Sequence, residues 1–284
     1  MRFSWVDRFV WKSLPGGFTK EAKRKNVAFL SQSFRSGRRT RLAPKARITL
    51  VCCVMEEPAA RHTLGEFEGA LLSLRDSVLM MAALTERLLA TAGEALFSRS
   101  LEACEQVIAD DSEIDTLEKT VDEEGVAILV RFQPLANDLR EVVSAMKVSN
   151  NLERVADQAV SIARRARRLN ESGTLAETAS LRPIFDLATG IFHDGVRSFA
   201  DRDDGLARGL KERDRALDAR QNREIENLTA RMAEDTARLK DYLDLILIAR
   251  NIERIGDHAT NIAEDAIFAA SAEDIRHTAP PVAL

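Results

Sequence analysis

Two segments of this chain, one hundred residues apart, are close copies of each other. Residues 151–163 read NLERVADQAVSIA, and residues 251–263 read NIERIGDHATNIA. Each copy carries a Glu and an Asp four residues apart, and an Arg directly follows the Glu. Apolar residues recur at helical spacing in both copies, so each predicts an amphipathic helix. A repeat with this period indicates that the chain folds as two copies of one structural unit.

The apolar pattern elsewhere predicts two further helices before each repeated segment. The interruptions before the repeated helices are short, at Pro134 in the first unit and at Asp235–Thr236 in the second. Short connections make sequential helices antiparallel neighbours. We therefore expect an all-α fold of two tandem antiparallel three-helix bundles related by an internal repeat.

Changes in composition indicate where these units begin and end. The segment NESGTLAETAS at 170–180 is rich in small and polar residues and has no apolar period, which is typical of a linker. We predict five regions: a basic N-terminal extension at 1–54, a first bundle at 55–170, a linker at 171–180, a second bundle at 181–274 and a tail at 275–284.

The N-terminal extension differs in charge from the rest of the chain. Residues 1–54 contain thirteen Lys and Arg and two acids, a net charge of +11, so the remainder carries −15 of the total of −4. The extension is interpretable as a basic arm that contacts acidic lipid or nucleic acid. The alternative is upstream sequence translated before a natural start at Met55. Because charge and periodicity change together at Met55, we expect the second interpretation, with 1–54 disordered and dispensable for folding.

Four pairs of acids with i,i+4 spacing are placed symmetrically about the predicted turns. In the first unit the pairs are centred on position 134, and in the second on the point between 235 and 236. Residues equidistant from the turn of an antiparallel hairpin lie side by side, so each unit should bring four carboxylates to one level. The pairs are Asp111/Asp115, Glu153/Asp157, Asp214/Asp218 and Glu253/Asp257.

Four adjacent carboxylates repel one another, so each cluster requires a compensating positive charge. One interpretation is an arginine-bridged helix face, because Arg154 and Arg254 each lie three residues before an acid. The other is a metal site, because oxygen-only ligands suit Mg²⁺, Ca²⁺, Mn²⁺ or Fe³⁺. The spacing alone leaves both open.

Other signs of catalysis are sparse. The sequence has no GxxxxGK[ST], GxGxxG or HExxH motif, and none of its four His follows a Glu by three residues, as ferritin-type di-iron enzymes require. His258 follows Asp257, but a solvent-facing or capping role is expected rather than ligation. The three Cys form no CxxC pattern, which is typical of a reduced, intracellular protein, and we expect Cys104 to be buried.

The blocks DDSEID, QPLANDLREVVSAMKVSNNLER and NIERIGDHATNIAEDA resemble those of the PhoU family of bacterial phosphate-transport regulators. The resemblance runs from about Glu66 to Ala270. It implies two tandem three-helix bundles whose E(D)xxxD motifs bind multinuclear metal clusters of Fe, Zn, Mn or Mg. By that pattern the metal ligands are Asp111, Asp115, Glu153, Asp157, Asp214, Asp218, Glu253 and Asp257.

The resemblance also implies a function that periodicity does not reveal. It implies a cytoplasmic, non-enzymatic negative regulator that connects a phosphate ABC transporter, through its ATPase subunit, to a sensor histidine kinase. Such a protein represses the phosphate-starvation response and limits phosphate uptake. The resemblance further implies a homodimer that reaches the membrane through its partners and binds no nucleic acid. The alternatives are a metal-dependent enzyme on a helical-bundle scaffold and a plain helical adaptor with empty acidic faces.

The two units differ in the residues that follow the repeated acids. The first has Ser161 and Arg164 where the second has Asn261 and Glu264, the residue types usual in the family. An additional cation near the first cluster would compete with a metal. We therefore expect the second unit to hold metal more firmly.

Overall fold

Six long helices account for most of the described chain. The computed structural model describes residues 58–173 and 175–275, and no β-strand occurs within these ranges. The extension at 1–54 and most of the predicted tail lie outside the described residues. The helices are α1 Pro58–Phe97, α2 Leu101–Phe132, α3 Ala136–Ser172, α4 Arg182–Asp201, α5 Asp204–Glu234 and α6 Leu239–Ser271.

Local sequence signals account for where these helices begin and end. The Ser100 side chain accepts a hydrogen bond from the Ala103 N–H at 3.0 Å, and Asp203 accepts one from the Leu206 N–H at 2.9 Å. Both bonds satisfy an N–H group that has no partner within the first helical turn. At the other end of α2, Gln133 adopts a left-handed conformation with φ of 49°, and Pro134 follows.

The helices form two antiparallel three-helix halves, as the repeat predicts. Helices α1, α2 and α3 pack against one another, and so do α4, α5 and α6. Val78, Val121 and Val148 are buried in the first half, and Phe192 and Leu217 in the second. The all-α prediction of two repeat-related bundles is confirmed.

The segment predicted as a linker includes helical structure at both of its ends. Its first residues complete α3, and a 3₁₀ helix runs from Ala176 to Leu181. Leu175 and Leu181 are buried, so their side chains contribute to the core. The described helices belong to one compact unit, in which the connection packs on the bundle that it joins.

The repeated helices α3 and α6 join the two halves. They run antiparallel, because Lys147 Nζ lies 3.3 Å from Asp265 Oδ1 while Arg165 Nη1 lies 3.1 Å from Asp244 Oδ1. Val155 and Ile255, one hundred residues apart, are both fully buried. The two copies of the repeated segment are therefore packed together near the centre of the unit, which brings their acidic motifs into the same region of the molecule.

No described helix combines the length and the apolar character needed to cross a lipid bilayer.

Candidate metal centre

The first half brings acids from α2 and α3 together as the turn symmetry predicts. Burial raises the pKa of the Asp111 carboxyl, and the charges of Asp115 and Asp157 raise it further, against the opposing effect of Arg164. Asp111 and Asp157 are one of the two pairs equidistant from position 134. The raised pKa indicates a carboxylate that lacks sufficient positive charge around it.

Glu153 is the most perturbed acid of the first half. Burial is the largest cause that raises its pKa to about 7, and the neighbouring charges of Asp157, Glu118 and Asp115 act in the same direction. Arg154 opposes them. Its Nε lies 3.3 Å from Glu153 Oε2, and its Nη1 lies 3.5 Å from Asp157 Oδ2. The first cluster therefore has a guanidinium that partly compensates it.

The second half gathers the corresponding four acids. Burial raises the pKa of Asp214 to about 7, and the charges of Asp218, Asp257, Glu253 and Glu264 add to that effect. The pKa of Glu253 is raised by burial and then by Asp257 and Asp218. Burial and Asp218 likewise raise the pKa of Asp257. All four predicted acids of this half therefore act on one another.

A glycine allows α5 to approach α6 closely at this cluster. A Cβ atom at Gly256 would lie 2.4 Å from Leu217 Cδ2 and 2.9 Å from Asp214 Oδ1, both too close for ordinary packing. The first repeat has Ala156 at the equivalent position. The absent methyl group thus determines how near the Asp214 carboxylate comes to the acids of α6.

Several carboxylate oxygens of the two clusters are shielded from solvent without a hydrogen-bond donor among the described residues. They are Oε2 of Glu153 and Oδ1 of both Asp214 and Asp218. The 3.3 Å contact between Glu153 Oε2 and Arg154 Nε is an ion pair by distance, but its geometry makes no hydrogen bond. Burying an oxygen in this way is unfavourable unless a cation or a donor is supplied.

The arginine-bridged interpretation holds for only one of the two clusters. Arg154 pairs with Glu153 and Asp157, whereas no ion pair within 4.0 Å links Arg254 to any described carboxylate. Arg254 acts on Glu253 and Asp257 from a longer range, lowering their pKa values against the larger effect of burial. The second cluster is therefore the less compensated.

The donor set fits a hard cation in chemical type and in charge. All eight predicted ligands are carboxylates, which are the ligands that Mg²⁺, Mn²⁺ and Fe³⁺ favour, and shielded oxygens in both halves lack donors. In the described part of the chain, however, no three His, Cys, Asp or Glu side chains are already gathered closely enough to hold one ion. The carboxylates are neighbours at one level rather than a formed coordination shell.

His258 is half-buried and contacts the other half of the molecule. Its Nδ1 lies 3.1 Å from Asn151 Oδ1 on α3, and burial followed by the charges of Arg154 and Arg254 lowers the pKa of its imidazole. In the repeat, the equivalent residues are Gln158 and Asn251, and these two described residues make no such contact. Gln158 instead donates to the Arg154 carbonyl, and the buried Asn251 Nδ2 has no partner among the described residues. Sequence reasoning gave no signal for this asymmetric contact.

An open cleft borders the second cluster. It has a volume of about 760 Å³ and lies between α3, α5 and α6. Asp214, Asp257 and Glu264 line it together with the cations Arg154, Arg254 and Lys211. The second cluster is thus accessible to ions from solvent.

Glu118 belongs to the first cluster although the four-acid pattern omitted it. It raises the pKa of Glu153, and its Oε1 accepts a hydrogen bond from Asn150 Nδ2 at 3.3 Å. Glu118 and Asn150 are equidistant from position 134, so the turn symmetry that located the other acids also predicts this contact. Gln221 occupies the corresponding place in the second half, so α5 has no acid at the position equivalent to Glu118.

Comparison with known proteins relates the whole six-helix region to one family. The PhoU domain matches residues 78–166 and 181–266, one match in each half. A "Phosphate-specific transport system accessory protein PhoU homolog" of Zymomonas mobilis is 36% identical over 75% of this chain and 90% of its own length. A protein of the same name from Xylella fastidiosa is 31% identical over 75% of this chain and 89% of its own.

Solved structures give the same relationship. The crystal structure of PhoU from Pseudomonas aeruginosa superposes with a TM-score of 0.71 at 34% identity, covering 73% of this chain and all of that one. The phosphate transport system regulatory protein PhoU from Streptococcus pneumoniae has a TM-score of 0.68 at 23% identity, over 74% of this chain and 99% of its own, and indicates a shared fold. With both repeats matched and the relatives covered almost completely, this chain belongs to the PhoU domain family.

Proposed function

We propose that this protein is a metal-binding helical adaptor that represses the phosphate-starvation response and modulates phosphate uptake. In this proposal it connects a phosphate ABC transporter, through the ATPase subunit, to a sensor histidine kinase. The names of its relatives, which are accessory proteins of phosphate-specific transport, support a role in that system. The observation that carries the metal-binding part is the pair of carboxylate clusters.

The proposed ligands are Asp111, Asp115, Glu153 and Asp157 in the first half and Asp214, Asp218, Glu253 and Asp257 in the second. Bound Fe, Zn, Mn or Mg ions would neutralise these acids and cross-link the helices that carry them. The protein's own contribution is to place acids from two antiparallel helices at one level and to shield part of their oxygens from water. Such binding stabilises the folded state by mass action.

The proposal includes an assembly and a location. We propose a cytoplasmic homodimer that meets the membrane through its partners and binds no nucleic acid. The charge of residues 55–284 supports the absence of nucleic-acid binding, because this part of the chain carries a net −15 and would repel a polyanion.

Genetic complementation tests the regulatory proposal. Deleting the gene is expected to activate phosphate-starvation genes in phosphate-rich medium, and the wild-type gene should restore repression. A gene carrying both Asp214→Asn and Asp257→Asn should restore it poorly, while Asp122→Asn, which alters an exposed acid of α2, should behave as wild type. Normal phosphate-dependent expression in the deletion strain would overturn the assignment.

The second candidate is a metal-dependent enzyme, which the cleft beside the second cluster favours. An enzyme needs an open coordination position and room for a substrate, and Asp214 and Asp257 both face this opening. Turnover of phosphate esters by the metal-loaded, purified protein, lost in Asp257→Ala, would establish it. Regulation without turnover supports the adaptor.

A further inference from the structure

A second cavity, which shares no lining residue with the acidic cleft, has no part in the proposed function. It lies where the ends of α1 and α3 meet the 3₁₀ helix and the start of α4, and its volume is about 290 Å³. That volume has room for on the order of ten non-hydrogen atoms, taking about 30 Å³ for each water. The cavity is therefore large enough for a small organic molecule.

Much of the cavity wall is apolar and fixed. Leu96, Ala166, Leu169 and Leu175 line it and are buried in the core. The Phe97 ring also lines it, and packs edge-on against Phe185 with ring centroids 5.5 Å apart. A hydrocarbon group inside this cavity would lie against rigid, water-excluding side chains.

The polar groups of the wall are donors rather than carboxylates. Two arginines line the cavity, Arg99 and Arg182. The Arg182 guanidinium lies 4.1 Å from the centre of the Phe97 ring. Arg99 donates two hydrogen bonds to Asn170, from Nε to the side-chain Oδ1 at 3.2 Å and from Nη2 to the backbone carbonyl at 3.1 Å. These contacts restrict where both charges lie. Among the described residues that line this cavity there is no Asp or Glu.

The Asn170 side chain and its backbone carbonyl position one of these guanidiniums. Its Oδ1 is occupied by Arg99, which fixes the amide orientation, and its shielded Nδ2 has no acceptor in the described chain. Because solvent does not reach that nitrogen, a ligand in the cavity does not reach it either, and the role of Asn170 is to hold the Arg99 guanidinium in place.

We propose that this cavity binds a small carboxylate with an apolar body. Arg182 and Arg99 attract the carboxylate by charge-assisted hydrogen bonds, and the leucine and Phe97 walls receive the hydrocarbon part. Free inorganic phosphate does not suit the cavity, because burying a strongly hydrated dianion against leucine side chains is unfavourable. The site is independent of the acidic clusters and of metal.

The test uses hexanoate as the probe in a saturation-transfer NMR titration of the full chain. Hexanoate is expected to bind saturably in the millimolar range or tighter. Hexan-1-ol, acetate and inorganic phosphate, which lack either the charge or the apolar body, should bind at least about tenfold more weakly. Equal binding of hexanoate and hexan-1-ol, or no saturable binding of hexanoate, would overturn the proposal.

Matched variants locate the binding. Arg182→Gln removes one guanidinium, and Asn170→Asp places a carboxylate against the other, so each should weaken hexanoate binding by about tenfold. Arg223→Gln, an exposed arginine of α5, should leave it unchanged. If circular dichroism shows that Asn170→Asp does not fold, Arg182→Gln at the exposed start of α4 decides alone. Wild-type affinity in Arg182→Gln would refute the assignment.

Discussion

Replacing Asp214 with Asn should affect the metal-free and metal-loaded protein in opposite directions. In the metal-free fold, burial and three acids of the cluster raise the pKa of Asp214 to about 7. The unfolded chain releases this proton near the ordinary carboxyl pKa of about 4. Between these values the folded state holds a proton that the unfolded state has lost, so the free energy of unfolding falls as pH rises from about 4 to about 7.

The size of this penalty follows from the raised pKa. A carboxyl pKa of about 7 instead of the ordinary 3.8 corresponds to about 4 kcal/mol once pH exceeds both values. Asp214 is only half-buried, and its neighbours share the protonation, so we expect about 1–2 kcal/mol. In a domain of this size that corresponds to a rise of roughly 3–6 °C in the melting temperature of Asp214→Asn.

The assay is thermal unfolding of wild type and Asp214→Asn in chelator at pH 5 and pH 7.5, then with added metal at pH 7.5. Without metal the variant should be the more stable at pH 7.5, with a smaller gain at pH 5. With metal it should lose most of the stabilisation that wild type gains. Asp122→Asn should change neither result. A variant that is less stable than wild type in chelator at pH 7.5 would show that Asp214 is already compensated by a cation of the protein.

Three further outcomes are expected. Asp257→Ala should lower the amount of bound metal more than Asp157→Ala does, because Arg154 pairs with acids of the first cluster only. Elemental analysis measures both losses, and equal losses would contradict this expectation. Gly256→Ala should destabilise the fold by about 1–3 kcal/mol by overpacking. Gly209→Ala, whose added methyl meets nothing within 4 Å, should instead stabilise it by up to about 1 kcal/mol. Equal effects of the two substitutions in denaturant unfolding would refute the close contact at Gly256. A chain that begins at Met55 should melt within a few degrees of the full chain, and a large loss would mean that 1–54 packs on the bundle.

The helices were predictable from the sequence, and so was the position along them at which the acids of each half meet, because both depend on local geometry. Helical spacing determines which side chains share a face, and Pro134 marks the turn that α2 and α3 flank. Residues equidistant from that turn then meet, which is why Asp111 acts on Asp157 and Glu118 contacts Asn150. The same rule describes the second hairpin.

The packing of one half on the other was not predictable from periodicity. The contact between Asn151 and His258 and the pair Lys147–Asp265 depend on how α3 and α6 are rotated about their axes, which many distant side chains decide together. The different pairing of Arg154 and Arg254 has the same origin. Both arginines lie three residues before an acid, yet only Arg154 is within 4.0 Å of its carboxylate among the described residues.

Elemental analysis of the purified protein tests most directly whether the repeated acids hold metal. Wild type is compared with a variant in which Asp214 and Asp257 are both Asn, and each is melted with and without chelator. Wild type should carry bound Fe, Zn, Mn or Mg and lose melting temperature in chelator, while the variant should lose the metal of its second half and respond less. Wild type that binds no metal when supplied with these ions, and that chelator does not destabilise, would contradict the metal-binding account.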